Sequence, residues 1–196
     1  MLYYTVHMST ILYNVTGQRI AKLARMDEDV FHSDDLANLW EIKDANNLHT
    51  TLKRYHQKGL LKRIYKGMYC LKNLEDLDPY LLGTKALHRF TYISTETILF
   101  IHGIINRKPS YITMISSKSQ KFQIYKYKYT SRQLKDEFLY NPIGINQKNG
   151  YRIASIERAI ADTIYFNPYS QFDATNLIDW NKIQKIQKSI GYPQST

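Results

Sequence analysis

The stretch from Asp44 to Leu71 leaves the chain few ways to fold. Asp44 is suited to cap a helix, because its carboxylate accepts a hydrogen bond from an orphan amide of the first turn. After it Leu48, Leu52 and Tyr55 recur at i, i+4 and i+7, the spacing of one buried helix face, and Gly59 supplies the stop. The spacing predicts a helix over Ala45–Lys58. Leu60-Leu61-Lys62-Arg63-Ile64-Tyr65 and Met68-Tyr69-Cys70-Leu71 then read as two short strands on either side of Lys66-Gly67, a β-hairpin.

Two further helices are expected upstream. The first runs from Ser9 or Thr10 to Arg25, with Ile11, Leu12, Val15, Ile20, Leu23 and Ala24 as its apolar stripe and Gly17 weakening it slightly. Ser33 is expected to cap the second, with Asp34 and Asp35 complementing the helix dipole and Leu36, Leu39 and Trp40 facing inward. A short helix, a turn, a polar-faced helix and a basic hairpin follow one another as in a winged helix-turn-helix. On a 100° wheel the polar side of the Ala45–Lys58 helix carries Asn46, Thr50, Lys53 and Gln57, flanked by His49 and Arg54. Such a helix fills the major groove with its polar side chains at base edges, while Lys62, Arg63 and Lys66 of the hairpin meet phosphates. The plainer alternative is a solvated face and lysines that only protect an edge strand.

Charge favours the first. The 196 residues carry a net charge of +10, which calls for a polyanionic partner. Met26 to Glu41 holds six acids and no base, whereas Lys43 to Lys72 holds eight bases against Asp44 alone, a local net of +7. A second basic region, Arg107 to Arg152, has ten Lys and Arg against Asp136 and Glu137.

A lone Cys70 with apolar neighbours is expected to be a buried core thiol, and no disulfide framework is implied. Met1 to Thr10 has neither the basic flank nor the apolar run of a secretory signal, and Ile98 to Ile105 is far too short to cross a bilayer. A cytoplasmic protein with no membrane partner is the expectation.

Asp76 to Pro79 marks a boundary, so residues 1–75 are expected to form the DNA-binding domain and residues 76–196 a second α+β domain. The fold class expected is therefore α+β. The second domain should contain a small, mostly antiparallel sheet flanked by helices. Asp78-Pro79 opens a helix to about Phe90, and Thr95 to His102 forms another, closed by Gly103. Tyr111 to Ser116 and Lys121 to Thr130 read as strands, Asn149-Gly150 as a hairpin turn, and Ser155 as the cap of a helix over Ile156–Tyr165. In that helix Ile156, Ala159, Ile160, Thr163 and Ile164 are the expected buried stripe, with Arg158 and Asp162 spaced for an i,i+4 pair. Asp173 to Ile190 should add one or two helices. Read as one strand, 122–129 places Phe122, Ile124, Lys126 and Lys128 on one face and Tyr125, Tyr127 and Tyr129 on the other, a platform suited to single-stranded nucleic acid.

Catalytic chemistry is hard to find. There is no phosphate loop, zinc spacing or nucleophile elbow. Asp35 with Glu41-Ile42-Lys43, and Glu157 with Asp162, are the nearest to a metal-dependent nuclease, but the first lies in the helix-turn-helix and the second pair point about 140° apart on one helix. No enzymatic activity, cofactor or metal is expected.

Asn47-x-x-Thr50-x-Leu52-x-Arg54, with Leu60-Leu61-x-Arg63-Ile64-x-x-Gly67-x-Tyr69 after it, resembles the amino-terminal winged helix of AbiEi-type antitoxins. Tyr92-Ile-Ser-Thr95 before Leu99-x-x-His102-Gly103, and Ile153-Ala-Ser-Ile-Glu157-Arg-Ala-x-x-Asp162, resemble that family's second-domain signatures. Ile156 departs from the proline the family often has before Glu. The resemblance implies an antitoxin of a type IV toxin–antitoxin system. It would bind inverted repeats of double-stranded DNA in its own promoter and oppose a nucleotidyltransferase-like toxin, without needing a stable complex. The oligomeric state is left open, a monomer in solution included.

Overall fold

The computed structural model describes residues 15–193, and the fold divides between Leu77 and Asp78 into two compact units. The chain is α+β.

In the first unit, α1 (residues 15–24) leads to β1 (Val30–His32), α2 (Ser33–Leu39), α3 (Ala45–Gln57), β2 (Lys62–Tyr65) and β3 (Met68–Cys70). The part of the first helix expected before residue 15 lies outside the described residues. Leu23, Phe31, Leu36, Trp40, Leu52, Tyr55 and Leu61 form the core, with Ile20, Leu39 and Leu48 packed against it. Val15 and Ala24, expected in the stripe of α1, are exposed. Trp40 pins three helices together: its ring meets Tyr55 edge-on at 5.5 Å and its indole N–H donates to the Arg19 carbonyl at 3.3 Å.

Asp44 caps α3, accepting from the Asn47 amide at 2.7 Å. The helix ends through Gly59 at φ 70°, with the Gly59 amide donating to His56 and the Leu60 amide to Tyr55. Ser33 is not a cap. It is the first residue of α2, its amide donates to the Gly67 carbonyl at 2.8 Å, and the cap position falls to His32, whose amide donates to the Asp35 carboxylate. The sequence carries no period-two pattern to announce β1, a three-residue strand that is recognisable only by its pairing. It lies antiparallel to β3, which pairs with β2, giving the order β1-β3-β2. The amide of Ser33 thereby ties the tip of the β2–β3 hairpin to α2.

The second unit holds α4 (Pro79–Ala86), β4 (Thr91–Ile93), α5 (Glu96–Ile101), β5 (Ile112–Ser116), β6 (Gln120–Ile124) and β7 (Tyr127–Gln133). After them come α6 (Asp136–Leu139), β8 (Ile145–Lys148), β9 (Tyr151–Ala154), α7 (Ile156–Phe166) and α8 (Trp180–Ile190). The sheet is larger and more mixed than expected: six strands in the order β6-β7-β5-β4-β9-β8, with β5–β7 and β4–β9 parallel. Strand composition does not encode which strands become neighbours, so the two parallel pairings could not be anticipated. α4 stops at Ala86 instead of reaching Phe90, because His88 turns left-handed at φ 48° before β4.

α4 packs on the sheet through Gly83, where a Cβ would lie 2.5 Å from Tyr129 Cδ1 and 3.3 Å from Met114 Sδ. The Tyr129 ring cannot swing away: it is fully buried, stacks on Phe122 at 5.0 Å, and its hydroxyl donates to the Pro79 carbonyl at 2.9 Å. Gly83→Ala should therefore destabilise the protein by about 1–3 kcal/mol through overpacking. Gly17→Ala, at a helical position with nothing within 4 Å, should stabilise it by about 1 kcal/mol through helix propensity. Thermal unfolding of the two variants checks both signs, and a neutral Gly83→Ala would show that the helix is free to lift.

Candidate nucleic-acid interface

α3 buries Thr51, Leu52 and Tyr55, and Leu48 is half-buried. With that side fixed inward, Asn46, His49, Thr50, Lys53 and Gln57 all stand exposed on the opposite side. Arg54 does not join them fully. It is half-buried, with its guanidinium 5.5 Å from the Tyr55 ring centroid, and it lines the groove between α1 and α3 together with Thr16, Ala24 and Lys58.

On the wing, Arg63 and Lys66 are exposed, Lys66 beside Gly67 (φ 63°) at the turn. Lys62 is half-buried at the base, where its ammonium donates to the Asn73 side chain, so it is less available to a phosphate than the other two. Among the described residues no carboxylate pairs with Lys43, Lys53, Arg54, Lys58, Arg63 or Lys66, while Lys72 is taken up by Asp29 at 2.6 Å. The wheel omitted two of these. Lys43 precedes the helix and Lys58 caps its end, and both are exposed; the +7 run of charge was the signal that could have included them.

Cys70 is fully buried, its thiol donates to the Lys72 carbonyl, and burial pushes its pKa up to about 11. It is a packing residue with no thiolate at neutral pH.

The 122–129 segment is not one strand. It is the β6–β7 hairpin, turning at Tyr125 and Lys126, with Tyr125 left-handed at φ 54°. Phe122 lies opposite Tyr129 and Ile124 opposite Tyr127, so these four share a face, and Gln123 with Lys128 takes the other. Alternation read straight through a turn inverts the second half. Tyr129, expected on the platform, is core.

Of the carboxylates considered for metal chemistry, Asp162 is fully engaged inside the second unit. Asp162 is fully buried, and both of its oxygens already accept two hydrogen bonds each, from Arg158 and Tyr192 on Oδ1 and from Tyr92 and Ser94 on Oδ2. Among the described residues no three His, Cys, Asp or Glu side chains gather into a metal-holding group. None of the described helices is long and apolar enough to cross a membrane.

The fold and this surface define an α+β protein whose first unit sets three helices with a three-stranded antiparallel sheet and leaves the polar face of the third helix exposed. No family model matches the chain, and no curated protein matches it. Among solved structures, the crystal structure of the RV2827C protein from Mycobacterium tuberculosis is similar, with 13% sequence identity and a TM-score of 0.53, covering 92% of this chain and 72% of that one. At that identity the likeness concerns the fold alone.

Proposed function

We propose that the chain is a DNA-binding transcriptional autoregulator and the antitoxin of a type IV toxin–antitoxin pair. The observation that carries the DNA-binding half is the exposed polar face of α3, standing beside a wing whose Arg63 and Lys66 have no carboxylate partner among the described residues. Seated in a major groove, Asn46, His49, Thr50, Lys53 and Gln57 reach base edges, and the wing cations neutralise phosphates. Arg54 supports α3 from the side, and Lys62 braces the base of the wing.

The antitoxin half rests on the AbiEi-like strings of the second unit. Four of their residues, Tyr92, Ser94, Arg158 and Asp162, join one buried hydrogen-bonded cluster, so the strings mark how this domain is built. The chain opposes a nucleotidyltransferase-like toxin encoded beside it, and this need not involve a stable complex.

Binding to the DNA upstream of its own reading frame should weaken steeply with salt, by about 0.9 in log–log slope for each phosphate contacted. Lys53→Glu should lower affinity at least about tenfold, and Arg63→Ala or Lys66→Ala should each reduce the slope by about one. Thr50→Ala should relax the preference for the operator over random duplex while keeping the slope. Anisotropy titrations over a salt series read all of these, and unchanged affinity in Lys53→Glu rules out the assigned face. Co-expression with the adjacent toxin tests the other half: growth must recover with the wild-type chain.

A further inference from the structure

A cleft of about 590 Å³ opens in the second unit, walled by the β6–β7 hairpin, the start of β5 and the loop before it. Lys108, Lys126 and Lys128 line it together with Tyr80, Tyr111 and Tyr127, and no carboxylate does. The three lysines are exposed, and among the described residues none is paired with an acid. Asp78, the cap of α4, accepts from the Tyr80 amide at 2.8 Å.

Cations and rings are interleaved. Lys126 Nζ stands 5.5 Å from the ring centroids of both Tyr125 and Tyr127, and Lys121 Nζ stands 5.4 Å from that of Tyr111. Tyr111 and Tyr127 are half-buried, while Tyr125 is 48% exposed at the hairpin turn, so the alternation continues outside the cleft. The hairpin makes this possible: folding back at Tyr125 and Lys126 brings Lys126, Tyr127 and Lys128 to Lys108 and Tyr111, which a single extended strand would not.

The ligand that suits aromatic walls and unopposed cations is an anion with a π-face, that is, a nucleoside phosphate. The volume fits a ligand of small-molecule size and excludes a duplex. A free nucleotide would fill the cleft and leave Tyr125 and Lys121 unused, whereas a strand uses both. We infer that the second unit binds single-stranded nucleic acid, with one nucleotide seated in this cleft, its phosphate among Lys108, Lys126 and Lys128 and its base against Tyr111 and Tyr127. This inference does not rest on the duplex-binding role proposed for α3.

The test is titration of a fluorescein-labelled oligothymidylate and oligouridylate into the full chain at low salt, with excess unlabelled duplex present to occupy α3. Saturable, salt-sensitive binding is expected. Lys126→Glu combined with Lys128→Glu should lower it at least about tenfold. Tyr127→Leu should lower it by about tenfold through lost stacking, and Tyr127→Phe should leave it unchanged. Circular dichroism must show each variant folded, and duplex affinity must stay the same in all of them. Strand affinity untouched by both the lysine pair and Tyr127→Leu overturns the site, as does absence of binding. Competition by free UMP or AMP as strong as by the oligonucleotide overturns the strand as its ligand.

Discussion

Arg158→Leu should destabilise the protein by about 3–5 kcal/mol, the cost of stripping one partner from a buried, hydrogen-bonded ion pair. Arg158 and Asp162 are both 0% exposed, one turn apart on α7, with Nε to Oδ1 at 2.9 Å. Every N–H of the guanidinium is used. Besides Asp162, it donates to the carbonyls of Asn141, Ile143 and Phe138 and to the Tyr92 hydroxyl, all between 2.9 and 3.1 Å. Burial alone would lower the Arg158 pKa, but the adjoining Asp162 carboxylate more than reverses this and raises it. Leucine would leave a carboxylate facing only three hydroxyls, and would strip the guanidinium from the Asn141 and Ile143 carbonyls of the connection and from the Phe138 carbonyl of α6.

The carbonyls give the pair its architectural role. Asn141 and Ile143 belong to the connection between α6 and β8, which has no regular structure of its own, and Arg158 holds it against α7. Gly144 within that connection runs left-handed at φ 73°, and a Cβ there would lie 2.7 Å from Arg158 Cβ. Asp162→Leu should cost a similar amount, and the double leucine variant less than the two together, since it leaves no unpaired charge. Urea unfolding of the three variants reads this cycle. A loss below about 1 kcal/mol in Arg158→Leu would mean that water replaces the guanidinium and that the connection holds itself.

The contrast between this pair and α3 explains what a lone sequence can disclose. Asp44, Leu52, Tyr55 and Gly59 act on their own helix within a few residues, so cap, face and stop follow from spacing. The five exposed residues of α3 then follow as the remainder. Spacing also found Arg158 and Asp162 as a pair, but an i,i+4 pair on a helix is ordinarily at the surface. That this one is buried depends on Tyr92, Ser94 and Tyr192, between 30 and 70 residues away. The hairpin at Tyr125 failed for a different reason. Tyr and Lys suit a strand equally on either side of the turn, and only pairing with β7 shows where the chain reverses. The cleft beside it depends on Lys108 and Tyr111 arriving from the loop before β5, which no local pattern contains.

High pH should unfold the protein cooperatively, and the buried phenols decide where. Burial, reinforced by the neighbouring Asp162, holds Tyr92 and Tyr192 well above the ordinary value of 10. Burial, with Tyr127 and Asp78 nearby, does the same for Tyr129, and burial with Asp78 and Tyr80 pushes Tyr151 up to about 12. A raised pKa means that the folded chain keeps a proton the unfolded chain has released. Below pH 10 both states hold it and nothing changes; above pH 10 the unfolded state binds fewer protons, so stability falls as pH rises. Each phenol held this way removes about 1.4 kcal/mol per pH unit, and Tyr92, Tyr129 and Tyr192 together remove about 4. Against a total of about 5–15 kcal/mol, the native state should fail roughly one to four pH units above the onset. Phenolate absorbance and far-ultraviolet dichroism, followed together, should then show a step at the same pH. Tyr192→Phe removes one held phenol and its 2.5 Å hydrogen bond to Asp162, so it should be less stable at neutral pH yet lose stability more gently above pH 10. Gradual ionisation of every tyrosine with the dichroism intact to the end would mean that these hydroxyls reach water without unfolding, and the buried cluster around Asp162 would be open rather than closed.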